Sequence, residues 1–202
     1  MKKIILASGS PRRRELLQML NIPFEVKVSD VEETVPAEHD ATPADRVKYL
    51  SLIKSRAVAD TVENNTIIIG SDTVVAKDNE ILNKPKDEED AKNMLLSLSG
   101  RSHHVYTGLT VIVKEEDGTL KETSYADCTE VVMNEISEEE ISNYIASGEC
   151  MDKAGAYAIQ GKSSVFIDSI KGDYYTVVGL PVRLVFNALK ENGINVTDFF
   201  TL

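Results

Sequence analysis

Apolar positions along this chain change spacing from block to block, and the changes mark the elements. Residues 3–8 form a short apolar run that predicts a buried strand. Ser10 suits a helix N-cap and Pro11 the first helical position. Leu16, Leu17 and Leu20 then give one apolar helix face, and Asn21 suits a left-handed end. A strand is expected near residues 24–28, and residues 29–41 read as an acidic loop. Thr42, Pro43, Ala44 and Asp45 open a second helix with the stripe Val47, Leu50, Ala57 and Val58. Lys54 falls inside that stripe rather than opposite it.

Residues 66–70 predict a buried strand that runs into Ser71, Asp72 and Thr73. A turn at 77–80 and a short strand at 81–83 make a hairpin. Asp87 starts a third helix with Met94, Leu95 and Leu98 apolar and Gly100 past its end. Long strands are expected at about 103–114 and 120–133. Ser137 with Glu140 is a capping-box pattern for a helix ending near Gly148. Strands near 164–170 and 174–178 would flank Lys171, Gly172 and Asp173. Gly179, Leu180 and Pro181 open a last helix through Lys190, stopped by Asn192 and Gly193. Helix-spaced strands mixed with hairpins imply a mixed, twisted α/β sheet flanked by helices rather than a regular doubly wound fold. With no repeat and no linker, residues 1–202 read as a single domain.

Composition narrows the function. The chain has 202 residues, 42% of them hydrophobic, enough for a sizeable core. Its net charge of -11 repels nucleic acid and anionic lipid, so neither is an expected partner. An anionic substrate would need a local basic pocket or a bound cation. No apolar run approaches the roughly 20 residues that span a bilayer. The apolar start of the chain faintly resembles a signal peptide, but Ser8 to Arg12 cuts it short. Cys128 and Cys150 have no metal-type spacing and read as buried or half-buried thiols of a cytoplasmic protein.

Four segments carry candidate chemistry. In Ser8, Gly9, Ser10, Pro11, Arg12 and Arg13, a strand delivers a turn to a helix N-terminus, where free N–H groups favour an anion. Cations are disfavoured in a first helical turn, so two arginines there make sense facing a phosphate. The alternative is an ordinary Ser-Pro cap with a solvated basic face. Asp72, in Gly70, Ser71, Asp72 and Thr73, stands at the end of a predicted buried strand, where a carboxylate can hold Mg²⁺ or activate water. It can equally be a turn residue. Lys54 and Lys84 can place charge near a triphosphate, or snorkel and solvate as plain surface lysines. Gln160, among the small residues of 154–161, can read a base or phosphate, or the segment can be a Gly-rich strand crossing. Glu33, beside Glu32, offers a further carboxylate to a metal, or belongs to a solvated acidic loop. His103 and His104, adjacent on a strand, face opposite ways and cannot easily chelate one metal.

Taken in order, these segments resemble the Maf family of nucleotide pyrophosphatases over nearly the whole chain. The motifs are the run from Leu6 to Arg13, the Gly70 to Val74 segment, Asn83-Lys84-Pro85, the run from Asp152 to Gly161, and Val178-Gly179-Leu180-Pro181. The resemblance implies a fold like that of inosine triphosphate pyrophosphatases, two lobes around a cleft. It implies Asp72 as proton acceptor, and Ser8, Arg12, Arg13, Glu33, Lys54, Lys84 and Gln160 as substrate-site residues. Arg12, Thr73 and Gln160 match positions tied to nucleotide choice. Ser-Pro-Arg-Arg looks like the branch acting on dTTP and UTP, because the 7-methyl-GTP branch usually has an aromatic residue where Arg12 stands. Ser71 is a small departure from relatives with Ala or Gly.

The expected reaction is cleavage of a nucleoside triphosphate to monophosphate and pyrophosphate, with Mg²⁺ or Mn²⁺ bridging the phosphates and the carboxylates of Glu33 and Asp72. A homodimer is plausible. The family name refers to septum formation, which leaves open a cell-division partner and a nucleotide-binding regulator without turnover. A phosphatase releasing orthophosphate is a third reading.

Overall fold

The computed structural model describes residues 2–200. Its first strand, β1 (Lys3–Leu6), buries Ile4, Ile5 and Leu6. It pairs in parallel with β2 (Glu25–Val26) on one side and β3 (Thr66–Lys77) on the other, with Lys3 opposite Thr66 and Leu6 opposite Ile69. Parallel neighbours need crossover connections. Helices α1 (Pro11–Gln18) and α2 (Pro43–Ala59) lie in the intervening segments. Antiparallel β4 (Glu80–Leu82) pairs with the last three residues of β3. β5 (Ser102–Lys114), β6 (Leu120–Met133) and antiparallel β7 (Ile167–Lys171) complete the order β2-β1-β3-β5-β6-β7. This is the mixed sheet with flanking helices that the spacing of apolar residues implies. The remaining helices are α3 (Glu88–Leu98), α4 (Glu138–Ile145), α5 (Tyr174–Val178) and α6 (Val182–Glu191).

The chain forms two compact units. The first comprises the residues up to Asp72, Thr107–Asp127 and those from Gly179 on; the second comprises Thr73–Tyr106 and Cys128–Val178. In the first unit, Ile5, Ala7, Ile68 and Ile112 pack with Val58 and Ala59 of α2. Two glycines let α2 lie almost on the strands. A Cβ at Gly108 would come 2.1 Å from the Val47 carbonyl oxygen, and one at Gly70 would come 2.0 Å from Ser55 Oγ. The close approach brings buried Ser51 within hydrogen-bond reach of Thr110, at 2.8 Å.

The second unit has its own core of Ala91, Leu95 and Leu98 from α3, Ile141 and Tyr144 from α4, and Val105, Val131 and Met133 from the strands. Its helices start where the sequence signals them. Asp87 caps α3 by accepting the Asp90 N–H at 2.8 Å, and Ser137 with Glu140 forms the full capping box of α4. The β3–β4 hairpin turns through Asp78 and Asn79, both at positive φ, as a two-residue hairpin loop requires.

Five expectations need correction. Residues 174–178 are helix, not strand, because Asp173 organises a turn: its carboxylate accepts the Tyr175 N–H at 2.9 Å and its carbonyl the Thr176 N–H at 3.2 Å. This local bonding overrides the β preference of Thr176, Val177 and Val178. Residues 162–166 form a 3₁₀ turn before β7. The strand expected at 24–28 shrinks to the two residues of β2. The segment 154–161 is not a strand crossing, since Gly155 and Ala156 both take positive φ and curl it into a 3₁₀ turn. Cys150 is buried as expected, but Cys128 is exposed, and no disulfide joins them.

Candidate active site

β3 does not stop at Gly70. It continues to Lys77, so Asp72 lies in mid-strand rather than at a strand end. Strand alternation explains its neighbours: Ser71 is fully buried on one face, while Asp72, 7% exposed, faces the other way. The Asp72 carboxylate accepts a hydrogen bond from Lys54 Nζ at 2.6 Å. The same ammonium lies 2.9 Å from the Glu33 carboxylate. Lys54 breaks the apolar stripe of α2, and its head group lies between these two carboxylates. Packing of neighbouring Ser55 over Gly70 brings that part of the helix down onto β3.

The turn from β1 to α1 adds a second group of residues to the same unit. Thr42, Asp87 and Ser137 cap their helices through their side chains. Ser10 makes no such cap, leaving the first-turn N–H groups of α1 without it. Instead, Ser8 Oγ accepts the Ser10 N–H at 3.2 Å and a hydrogen from Arg13 Nη1 at 3.3 Å. No acidic residue sits in the first turn of α1, only the arginines. An uncapped N-terminus with adjacent guanidinium groups suits an anion.

The two arginines differ. Arg13 donates from Nε to the Gly179 carbonyl at 2.9 Å and from Nη1 to the Ser71 carbonyl at 2.7 Å. A phosphate-facing fork is therefore not what Arg13 shows; those two nitrogens brace backbone. Burial pulls its pKa below the ordinary arginine value, against the opposing charges of Asp72 and Glu33. Arg12 is half-buried, with no side-chain hydrogen bond or ion pair among the described residues. It is the guanidinium better placed to meet a ligand.

The first unit thus brings together Ser8, Arg13, Glu33, Lys54 and Asp72, with Arg12 beside them in sequence. Thr73, Lys84 and Gln160 belong to the second unit. There, Lys84 and Gln160 are exposed, and Thr73 is half-buried. The Asn83 carbonyl accepts the Gly155 N–H at 3.1 Å, which ties the segment carrying Lys84 to the one leading to Gln160.

Two carboxylates on one ammonium offer hard oxygen donors of the kind Mg²⁺ accepts alongside substrate phosphates. No group of three or more His, Cys, Asp or Glu among the described residues could hold a metal. The carboxylates of Glu33 and Asp72 are the oxygen donors that this part of the first unit offers. His103 is buried and His104 exposed, so the two do not form a pair of ligands.

Sequence reading missed the roles of Ser71 and Gly179. The Ser71 hydroxyl donates to the Gly179 carbonyl at 3.0 Å, the same oxygen that Arg13 uses. Gly179 stood in a recognisable motif, but no spacing rule says which carbonyl a distant guanidinium will seek.

The architecture is that of a known class of α/β proteins. The chain superimposes on the Staphylococcus aureus Ham1 protein with a TM-score of 0.51 at 15% identity, covering 95% of this chain and 100% of that one. A finer assignment comes from sequence comparison. The Maf-like protein family model matches residues 3–192, and the chain belongs to this family. It is 51% identical over 199 residues to the dTTP/UTP pyrophosphatase of Bacillus cereus (strain B4264), covering 98% of this chain and 99% of that protein. It is also 53% identical over 191 residues to the dTTP/UTP pyrophosphatase of Bacillus cytotoxicus, covering 95% and 96%. No helix among the described residues is long and apolar enough to cross a membrane.

Proposed function

We propose that this chain hydrolyses dTTP and UTP to the nucleoside monophosphate and pyrophosphate, and so clears such nucleotides from the pool. The observation that carries the reading is the ion pair of Lys54 with both Asp72 and Glu33, in a chain half-identical over its length to dTTP/UTP pyrophosphatases. A carboxylate held on a lysine in mid-strand is fixed in place by its neighbour. Such a group can take a proton from water.

In this reading the first-turn N–H groups of α1, Ser8 and Arg12 bind phosphate oxygens. Arg13 braces Ser8 and the backbone beside Asp72 while adding positive charge. Asp72 accepts a proton from the water that attacks the α-phosphorus, and pyrophosphate leaves. Lys54 offsets developing charge. Glu33 and Asp72 would hold Mg²⁺ or Mn²⁺, which supplies charge neutralisation of the triphosphate when bound. Thr73, Lys84 and Gln160 are carried as substrate residues by the family resemblance. The absence of a disulfide between Cys128 and Cys150 suits a reducing, cytoplasmic setting.

The test is a panel of nucleoside triphosphates with Mg²⁺ or Mn²⁺, following pyrophosphate and orthophosphate separately, with Asp72→Asn alongside. Metal-dependent pyrophosphate release from dTTP and UTP is expected, with kcat in the variant lower by about 10²–10⁴-fold, the usual size of general-base catalysis. Near-normal turnover by Asp72→Asn would remove its assigned role. Orthophosphate as the first product would point to a phosphatase. Binding without turnover by folded protein would favour a nucleotide-dependent regulator of septum formation, acting through a cell-division partner.

A further inference from the structure

The turn that carries Gln160 is held by a side chain with no part in the chemistry above. We infer that Glu149 is a positioning residue that sets the Gln160 turn for nucleotide recognition, an inference that rests on the nucleotide reading of the site.

Glu149 follows α4 through Gly148, which turns the chain at positive φ. Both of its carboxylate oxygens accept the Lys162 N–H, at 3.1 and 3.2 Å. The carboxylate lies where a side chain at residue 161 would otherwise be: a Cβ there would come 2.4 Å from Glu149 Oε1. Gly161 also takes φ 123, a conformation that favours glycine. The grip thus depends on a glycine directly after Gln160. Glu149 forms no ion pair among the described residues. Besides this turn, its carboxylate neighbours the Tyr144 hydroxyl, whose pKa it helps raise after burial. A charge-assisted bond to a backbone N–H is stronger than a neutral one.

The same turn is closed from within. Ser163 Oγ, fully buried, accepts the Ala158 N–H at 2.9 Å and donates to the Ala158 carbonyl at 2.8 Å. One hydroxyl can do both. Just ahead, the Tyr157 hydroxyl lies 2.6 Å from His103 Nε2, with both residues in the core. The backbone is therefore fixed on either side of Gln160, while the Gln160 amide is exposed and has no partner among the described residues. Rigid backbone around an unspent amide is preorganisation for a ligand.

The experiment measures dTTP affinity by calorimetry in an Asp72→Asn background, with Glu149→Ala, Glu149→Gln, Gln160→Ala and the double variant Glu149→Ala/Gln160→Ala. Loss of one charge-assisted positioning bond should weaken binding by about tenfold in Glu149→Ala. Glu149→Gln keeps an acceptor and should recover most of the affinity. The double variant should bind no worse than Gln160→Ala alone, since both changes act through one group. In protein retaining Asp72, Glu149→Ala should raise KM while kcat stays within about twofold. Amide exchange at Lys162 should quicken in Glu149→Ala. Unchanged affinity in Glu149→Ala, or additive losses in the double variant, would overturn the inference alone. If protein retaining Asp72 neither binds nor turns over dTTP, the nucleotide reading falls, and this inference with it.

Discussion

Acid should destabilise this protein well before its carboxylates titrate, and one buried histidine should be responsible. His103 is 1% exposed, and its Nε2 meets the Tyr157 hydroxyl. Its Nδ1 has no partner among the described residues, and burial, followed by the charge of His104, pulls its pKa from 6.5 down to about 4. Above pH 6.5 the imidazole is neutral in both folded and unfolded chains and contributes no pH dependence. As pH falls from there, the unfolded chain takes up a proton that the folded chain refuses, so stability declines. Below about pH 4 both states are protonated and the decline from this group ends. Integrating the two titrations gives a loss of about 2 kcal/mol by pH 5 and about 3 kcal/mol by pH 4. That is a large part of the roughly 5–15 kcal/mol that holds a typical domain together. Urea unfolding followed by far-ultraviolet circular dichroism at several pH values between about 7.5 and 5 would read it, a window above the usual carboxylate range. His103→Gln can still bond to Tyr157 and carries no titrating ring, so its stability should stay nearly flat across the window. Parallel curves for the two proteins would refute the reasoning.

Other outcomes follow from the same geometry. Lys54→Met strands two carboxylates on the first unit. Because Lys54 and Asp72 are mostly buried, it should cost about 3 kcal/mol of stability by urea denaturation. Adding Asp72→Asn should restore much of that stability without restoring pyrophosphate release. Gly108→Ala drives a Cβ to 2.1 Å from a backbone oxygen of α2 that cannot swing away, so a loss of about 3 kcal/mol or more is expected, seen as a lower urea midpoint. Ser137→Ala removes the hydroxyl half of the α4 capping box, leaving the Glu140 carboxylate on the backbone N–H of residue 137, and should cost about 1 kcal/mol in the same assay, with turnover unchanged. If Glu33 and Asp72 hold a divalent cation as proposed, chelation by EDTA should stop nucleotide turnover, and added Mg²⁺ or Mn²⁺ should restore it.

Much of the architecture was legible where local chemistry and burial agree. Ser10-Pro11, Thr42-Pro43, Asp87 and Ser137 each mark a helix start that forms. Long alternating runs became β5 and β6. Legibility failed where a single side chain redirects the backbone. Asp173 turned a strand-like run into α5, and β-branched composition could not reveal that. In the site, Lys54 betrayed itself as a charge in an apolar stripe, and its partner Asp72 as a carboxylate among buried residues. The backbone bracing by Arg13 was illegible, because its acceptors lie 58 and 166 positions away. Glu149 was equally hidden: nothing in its neighbourhood marks a carboxylate that will grip an amide 13 positions on.

The bond from Arg13 to Gly179 also has a meaning for how the chain is made. The second unit has all its residues once Val178 has left the ribosome, whereas the first unit is assembled from three separated stretches and needs those from Gly179 onward. Units usually fold in the order of their synthesis. Here the unit that begins first is the one that must finish last. Until Gly179 emerges, the Arg13 side chain lacks the acceptor of its Nε hydrogen, and the Ser71 hydroxyl lacks that same oxygen. A nascent chain stalled just short of Gly179 would carry a complete second unit and an unfinished first one, so the groups around Asp72 come into register only once the third stretch of the first unit has been made.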